Sequence, residues 1–376
     1  MPPYQRIDIR PVQLKAGLHW QCVSHDGKKD ITKNLPLDQL NLGNYLMDGY
    51  ANLIVENDVQ QFNLRVTKSG KAEFGFTKVS RDIPNEISLS HDRIKIRLLD
   101  ETDPIFIALG ISDNDGVLKP TRTDKFKQVQ EFLKNIVEVL PEVTKKSLAN
   151  KAIKIVDLGC GHAYLTFAAY KYLKNQGFAV SVIGVDERTD SRERNSQIAQ
   201  QLGVSGEVKF EAKQISNLAD FEVDVAIALH ACDTATDDAI AWAVKNNARA
   251  ILVAPCCQHD IQRQMQVAPA PWSIATRHGI LHERLGDLIT DSLRAQILRI
   301  LGYKTEIIEF IAGSHTPKNL MIRAMNTGVH NLNRTPAAKS DEVKAKEFAE
   351  YDLMLQQWGI TPKLQELLAA QLDALR

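Results

Sequence analysis

Two groups of residues in this chain have types and spacings that could do chemistry. The first is Asp157-Leu158-Gly159-Cys160-Gly161-His162-Ala163, between an apolar run, IKIVDL (153–158), and a helical stretch, LTFAAYKYLKN (165–175). Glycines between a buried strand and a helix let backbone approach a ligand closely and leave the helix N-terminus facing it. A dinucleotide fingerprint requires a third glycine at its sixth position; Tyr164 stands there, which disfavours NAD or FAD. A second apolar run, VSVIGVD (180–186), ends at Asp186, and a carboxylate at that strand end suits a ribose diol.

The second group follows two further apolar runs. His230, Cys232, Asp233 and Asp237 come at or after the end of VDVAIALH (223–230); Cys256, Cys257, Gln258 and His259 come after ARAILVAP (248–255). Ligands of open α/β sheets bind outside the carboxyl ends of strands. A histidine there can take a proton or orient a substrate, and a thiolate can add to a pyrimidine ring. Each residue also has a structural reading. A cysteine at a strand end is often a small buried hydrophobe, His230 can bond backbone, and Asp237 can cap its helix. Cys232, Cys256, Cys257 and His259 would make a metal set without any CxxC spacing, and adjacent cysteines are an awkward tetrahedral pair. No metal is expected.

The elements that must position these residues read as follows. Residues 152–253 alternate apolar, non-alternating strands with helices, the pattern of a parallel sheet covered on both faces. Helices are expected at 188–202, 235–247 and 284–301, and YKTEIIEFI (303–311) with LMIRAM (320–325) as a closing antiparallel pair. Before them, Phe126, Val129, Phe132, Leu133, Ile136, Val137 and Leu140 keep helical spacing. Residues 1–110 read as an α+β domain of short strands, with a hairpin at Ser69-Gly70-Lys71, a strand at 92–100 and a helix over 37–54. Residues 117–326 form the expected α/β domain and 327–376 a basic linker with C-terminal helices.

Lys+Arg and Asp+Glu are both 46 in 376 residues, so no global excess of charge demands a polyanion. Locally, nine basic residues face four acids over 117–154, and 313–340 carries four basic residues and no acid. Five scattered cysteines are not a disulfide framework, and the N-terminal sequence lacks the apolar core of a signal peptide, so a cytoplasmic setting is expected. No membrane association and no obligate protein partner are expected.

A glycine turn without the third glycine, followed by an acid after strand two, is the arrangement of S-adenosylmethionine (SAM) enzymes. VDLGCGHAYLTFA resembles motif I of class I SAM-dependent methyltransferases. LHACDTATDDAI (229–240) and APCCQH (254–259) resemble a subfamily that includes eukaryotic tRNA acceptor-stem 2′-O-methyltransferases and glutathione S-transferase C-terminal-domain-containing proteins. DKFKQV (124–129), RLGDLITDSLRAQIL (284–298) and HTPKNLMIRA (315–324) are similar to its bacterial branch. The resemblance covers about 90–325. It departs at Ala163, where motif I commonly has a third glycine, and at Asp233, where relatives often have glycine.

The resemblance implies a seven-stranded Rossmann-like methyltransferase sheet with SAM above the ends of strands one and two. Asp157, Gly159 and Gly161 would line the methionine part, Asp186 the ribose, and Gln214 and Ile215 the adenine. Three acceptors can be compared. Adenine amine methylation uses an Asn/Asp-Pro-Pro-aromatic turn, which His230-Ala231-Cys232-Asp233 is not. Pyrimidine C5 methylation needs a thiolate, which Cys256 or Cys257 offers. Oxygen methylation needs a base or orienting group, a role open to His230 or His259. The expected function is methyl transfer to RNA, tRNA or rRNA, by in-line displacement. His230, Cys257 and His259 are the catalytic candidates; Cys232, Asp237, Cys256, Lys318 and Asn319 are the substrate contacts. The alternatives are a methyltransferase of a protein or small molecule, and a catalytically silent SAM-fold adaptor.

Overall fold

The structure, a computed structural model, describes residues 2–27, 29–57, 60–67, 69–78, 97–145, 151–229, 231–310, 319–326 and 341–376. The chain divides into two units, Met1–Ile96 and Arg97–Arg376.

The first unit holds two antiparallel three-stranded sheets. One is β1 (Arg6–Leu14), β2 (Gly17–His25) and β3 (Asp30–Pro36); the other is β4 (Asn52–Glu56), β5 (Gln60–Val66) and β6 (Ala72–Lys78). β5 and β6 are the expected hairpin, with Arg65 opposite Glu73. The helix expected over 37–54 shrinks to α1 (Leu42–Met47). Gly49, at φ +98°, stops it, and the branched side chains of Asn52–Glu56 then favour a strand.

The second unit contains the seven-stranded sheet. Its strands are β7 (Ile153–Leu158), β8 (Val180–Asp186), β9 (Val208–Ala212), β10 (Val225–Ala228), β11 (Ala250–Val253), β12 (Tyr303–Glu309) and β13 (Leu320–Asn326). Their order is β12-β13-β11-β10-β7-β8-β9. β7 to β11 run parallel, and β13 lies antiparallel to both β11 and β12, as expected of the closing pair. The winding direction therefore reverses between β7 and β10, which opens a crevice at their carboxyl ends.

Twelve described helices include α2 (Pro104–Ala108), α3 (Thr123–Lys145), α4 (Tyr164–Asn175), α5 (Thr189–Gln201), α6 (Thr234–Lys245), α7 (His259–Gln264), α8 (Ser273–Thr276), α9 (Gly279–Ile300), α10 (Asp341–Trp358), α11 (Lys363–Leu367) and α12 (Ala369–Asp373). β7 shows why both faces must be covered. Ile153 and Ile155 join the core under α3 and α4, while Val156 and Leu158 join the core under α6 and α9. Three expectations shift here. Ile105 and Phe106 of α2 are buried with Phe126, so residues 97–110 belong to the second unit; residues 92–96 of the expected strand lie outside the described residues, and 97–100 form no strand. On α3, Val139 is buried and Val137 is exposed. The C-terminal helices are no appendage, since Trp358, Ile360, Leu364 and Leu368 are buried in the second core.

Gly184 ties packing to the site. A Cβ there would stand 2.5 Å from a ring carbon of Phe210 and 3.1 Å from Cys160 Sγ. Gly184→Ala is expected to overpack the space behind the glycine loop and destabilise the chain by about 1–3 kcal/mol. Urea denaturation would read this as a lower midpoint at unchanged slope; an unchanged midpoint would show that the ring yields freely.

Candidate active site

β7 ends in a loop that only a particular backbone can follow. Gly159 and Gly161 adopt φ of +81° and +51°, where a side chain would be strained. Ala163 adopts φ +55° just before α4, so the position that commonly holds a third glycine does need a left-handed residue here. The loop is anchored on two sides. Gly161 N–H donates to Asp186 Oδ2 at 2.9 Å, and the Gly161 carbonyl accepts from Asn195 Nδ2 at 2.9 Å and Arg194 Nη2 at 3.0 Å.

Asp157 takes a different part from the expected one. It is buried and accepts a hydrogen bond from the Thr166 hydroxyl, which fixes the first turn of α4 rather than a ligand. Burial pushes its carboxyl up to about 7, with the nearby Asp186 carboxylate adding to the shift.

In front of the loop lies a cavity of about 610 Å³. Its lining includes Gly159, Gly161, Asp186, Gln214, Ile215 and Cys232, so five of the six expected cofactor residues meet at one surface. The lining also includes Glu187, Arg188, Lys213 and Asp238, which sequence reasoning missed. The first two follow Asp186 directly and Lys213 precedes Gln214, so adjacency was the available signal. Asp238 carries a carboxyl raised by burial and by Asp237.

These residues fit SAM. The volume is that of a small-molecule site, and the glycines leave backbone accessible. Asp186 Oδ1 accepts from Arg188 N–H at 3.1 Å and Arg188 Nε at 3.2 Å. A carboxylate has about four acceptor sites, so room remains for a ribose hydroxyl.

The loops after β10 and β11 are locked together. Asp233 adopts φ +49° and ψ −121°, a strained conformation for a residue with a side chain. Its N–H donates to the Cys257 carbonyl at 3.1 Å, its Oδ1 accepts from Asp260 N–H at 3.0 Å, and its carbonyl accepts from Arg294 Nη2 at 2.8 Å. Arg294, 3% exposed, also grips Asp237 with two bonds of 2.8 Å and approaches Asp291 at 3.3 Å. Asp237 is therefore a buried ion-pair partner and not a substrate contact. Asp291 accepts from Gln258 Nε2 at 3.0 Å, and burial raises its carboxyl to about 6 despite Arg294.

Cys232 Sγ lies 3.0 Å from Cys256 Sγ, which lies 4.0 Å from Cys257 Sγ. Burial, then Cys232, raises the Cys256 thiol to about 12, and the same two causes raise Cys257. That is the wrong direction for the nucleophile considered for Cys257. All three sulfurs lie within 4.8 Å of one another, so the adjacent cysteines, an awkward tetrahedral pair by sequence, do meet Cys232. His259 is not with them. It opens α7, is exposed, faces Gln262 Oε1 at 3.3 Å and borders a separate shallow depression with His282. This removes it from the catalytic candidates. His230 and Lys318 lie outside the described residues. Asn319 starts the β13 pairing, its carbonyl accepting from Phe310 N–H at 2.9 Å, and is not among the described residues that line the cavity. Arg323, counted in the basic segment, is bound to Glu306 at 2.7 Å and Asn135 at 3.2 Å.

Residues 124–264 match the family described as "Methyltransferase domain". No curated protein matches the chain. Among solved structures, the chain is similar to magnesium protoporphyrin IX methyltransferase from Synechocystis PCC 6803 with bound SAM, at 15% identity over 61% of this chain and 90% of that one, TM-score 0.36. It is also similar to an SAH-bound methyltransferase of Podospora anserina, at 13% identity over 51% of this chain and 77% of that one, TM-score 0.34. At those values the likenesses carry no argument about the acceptor. The family match and the glycine-loop cavity together identify a SAM-dependent methyltransferase domain.

Two outcomes are expected. Asp186→Ala should weaken SAM binding by about 1–3 kcal/mol, the worth of charged hydrogen bonds; calorimetry with unchanged affinity would reject Asp186 as a ribose contact. Asp157 has a raised folded pKa, so its native form holds a proton that the unfolded form has released between about pH 4 and 7. The ligand-free protein therefore loses stability from this group as pH rises through that window. Asp157→Asn should gain on the parent from pH 5 to pH 8 by at most about 3 kcal/mol, read from denaturation midpoints at the two pH values.

Proposed function

We propose that this domain methylates RNA. Bound SAM supplies a methyl group on a sulfonium centre. The chain's part is to hold that cofactor and present an acceptor in line with it. Asp186 takes the ribose hydroxyls, backbone of Gly159 and Gly161 borders the methionine part, and Gln214 with Ile215 borders the base. His230 is the proposed group that orients the acceptor oxygen or takes its proton, because the next residue, Ala231, lines the cavity.

The observation that carries an RNA acceptor is a group of cations beside the glycine loop. Desolvation first, then Arg194, Lys125, Arg188 and Arg122, push the pKa of His162 below its usual value. Lys125 is itself depressed by burial, Arg122 and Arg194, and lies 5.4 Å over the Tyr164 ring. Cations close enough to Lys125 to lower its pKa would be relieved by a polyanion in their midst. In a chain with no net charge, that group gives phosphates a local place to bind.

The test is to incubate the protein with SAM and separately with tRNA, rRNA, a protein extract and a metabolite extract, and to identify methylated products by mass spectrometry. A single methylated nucleoside is expected. Arg122→Ala with Lys125→Ala should lower RNA affinity and flatten its salt dependence by about one to two units of slope. Indifference to RNA at low salt, with methyl groups appearing on protein or metabolites, would overturn the reading.

A further inference from the structure

Three cysteines from two loops meet where β10 and β11 end. Cys232 follows β10; Cys256 and Cys257 follow β11. Neighbouring residues in a pleated strand point to opposite sides. Here the chain has left the strand, which stops at Val253, and α7 has not begun, so both thiols can turn the same way. Their sulfurs are 4.0 Å apart, and Cys232 closes the triangle at 3.0 Å from Cys256.

The triangle has the dimensions of a thiolate metal site. Zinc–sulfur bonds of about 2.3 Å in a tetrahedron set sulfurs about 3.8 Å apart. The observed edges of 3.0 and 4.0 Å bracket that value, and the third is no longer than 4.8 Å. Shifts of less than about 1 Å close the difference. The scaffold is rigid where it matters. Asp233 N–H binds the Cys257 carbonyl, Asp233 Oδ1 holds the start of α7, and Arg294 clamps the Asp233 carbonyl. The ligand loops are thus bound to each other through groups other than the thiols.

We propose that Cys232, Cys256 and Cys257 form a three-thiolate site for a thiophilic divalent cation, zinc, with its fourth position open. Three protein ligands and an exchangeable fourth are the pattern of reactive rather than structural zinc. Cys232 and Cys256 are exposed, so water reaches the site, and Cys232 is also a wall of the SAM cavity. The open position therefore stands at the border of cofactor and acceptor. Coordination at that border would draw a water or an acceptor heteroatom as the fourth ligand.

The test uses the whole chain, purified in reductant, stripped with chelator and titrated with zinc against a chromophoric competitor. One zinc per chain is expected. Cobalt in its place should give a near-ultraviolet thiolate charge-transfer band of the intensity of three thiolates. Cys232→Ser, Cys256→Ser and Cys257→Ser should each weaken binding by about 100-fold or more, whereas Cys22→Ser, in the other unit, should not. The far-ultraviolet circular dichroism of the same variants reports that the chain is folded, and the cobalt band of the unaltered protein decides the matter where a variant fails to fold. Absence of stoichiometric metal overturns the proposal, as does zinc retained by the triple serine variant. A Cys232–Cys256 disulfide persisting in reductant would overturn it too, by making the short contact a redox pair.

Discussion

The reversal of winding between β7 and β10 is the constraint on which the site depends. It obliges two neighbouring strands to send their loops apart, and the cavity is the space between them. Both loops must turn sharply at once, and both use positive φ to do so. After β7 the turn is made by Gly159 and Gly161, for which the conformation carries no steric cost. After β10 it is made by Asp233, for which it does. The second loop persists because backbone and side chain of Asp233 are both bound, to Cys257, Asp260 and Arg294. A glycine would relax the turn but would lose the carboxylate that holds the start of α7.

Arg294 shows how a buried charge is tolerated in this position. A guanidinium taken out of water is costly unless its donors are satisfied. Here two go to Asp237, one approaches Asp291, and one also reaches the Asp233 carbonyl. Asp237 and Arg294 neutralise each other, which leaves Asp291 as the surplus acid; its raised carboxyl fits that arithmetic. The cluster joins α6, α9 and both loops after β10 and β11. The acids there are consequently structural, although their sequence positions are those of a catalytic site.

The strands of the sheet were legible because both of their faces are buried. IKIVDL and VSVIGVD have continuous apolar runs, and their ends match β7 and β8 to the residue. Less legible was the direction in which single polar residues face. Asp237 and Asp238 are adjacent, but about 100° of helix separates them. Asp238 shares a face with Ala235, three residues earlier, and both line the cavity; Asp237 turns inward to Arg294. Ala235 was the available signal. Val137 and Val139 on α3 were exchanged for the same reason. His259 and Arg323 failed differently. His259 is claimed by Gln262, three residues on in the same helix, which turns it along α7, and Arg323 by Glu306, directly opposite it on β12, a register that the sequence of β13 alone does not encode.

The charge distribution of the site follows a division that the neutral composition conceals. Behind and beside the glycine loop stand Asp157, Asp186 and Asp238, all at least partly withdrawn from water. An acidic interior favours a ligand carrying a sulfonium and an ammonium, and its carboxylates ionise more readily once those cations are near. The surface beside the same loop is basic, through Arg122, Lys125, Arg188 and Arg194. Arg188 belongs to both regions, since it pairs with Asp186 at 3.2 Å while acting on His162. The two fields have opposite sign within a few residues of Gly161, so a cationic cofactor and the anionic acceptor proposed above would each be drawn to a different side of one loop. Each of those two ligands would meet like charge in the other's place, which would disfavour the reverse arrangement.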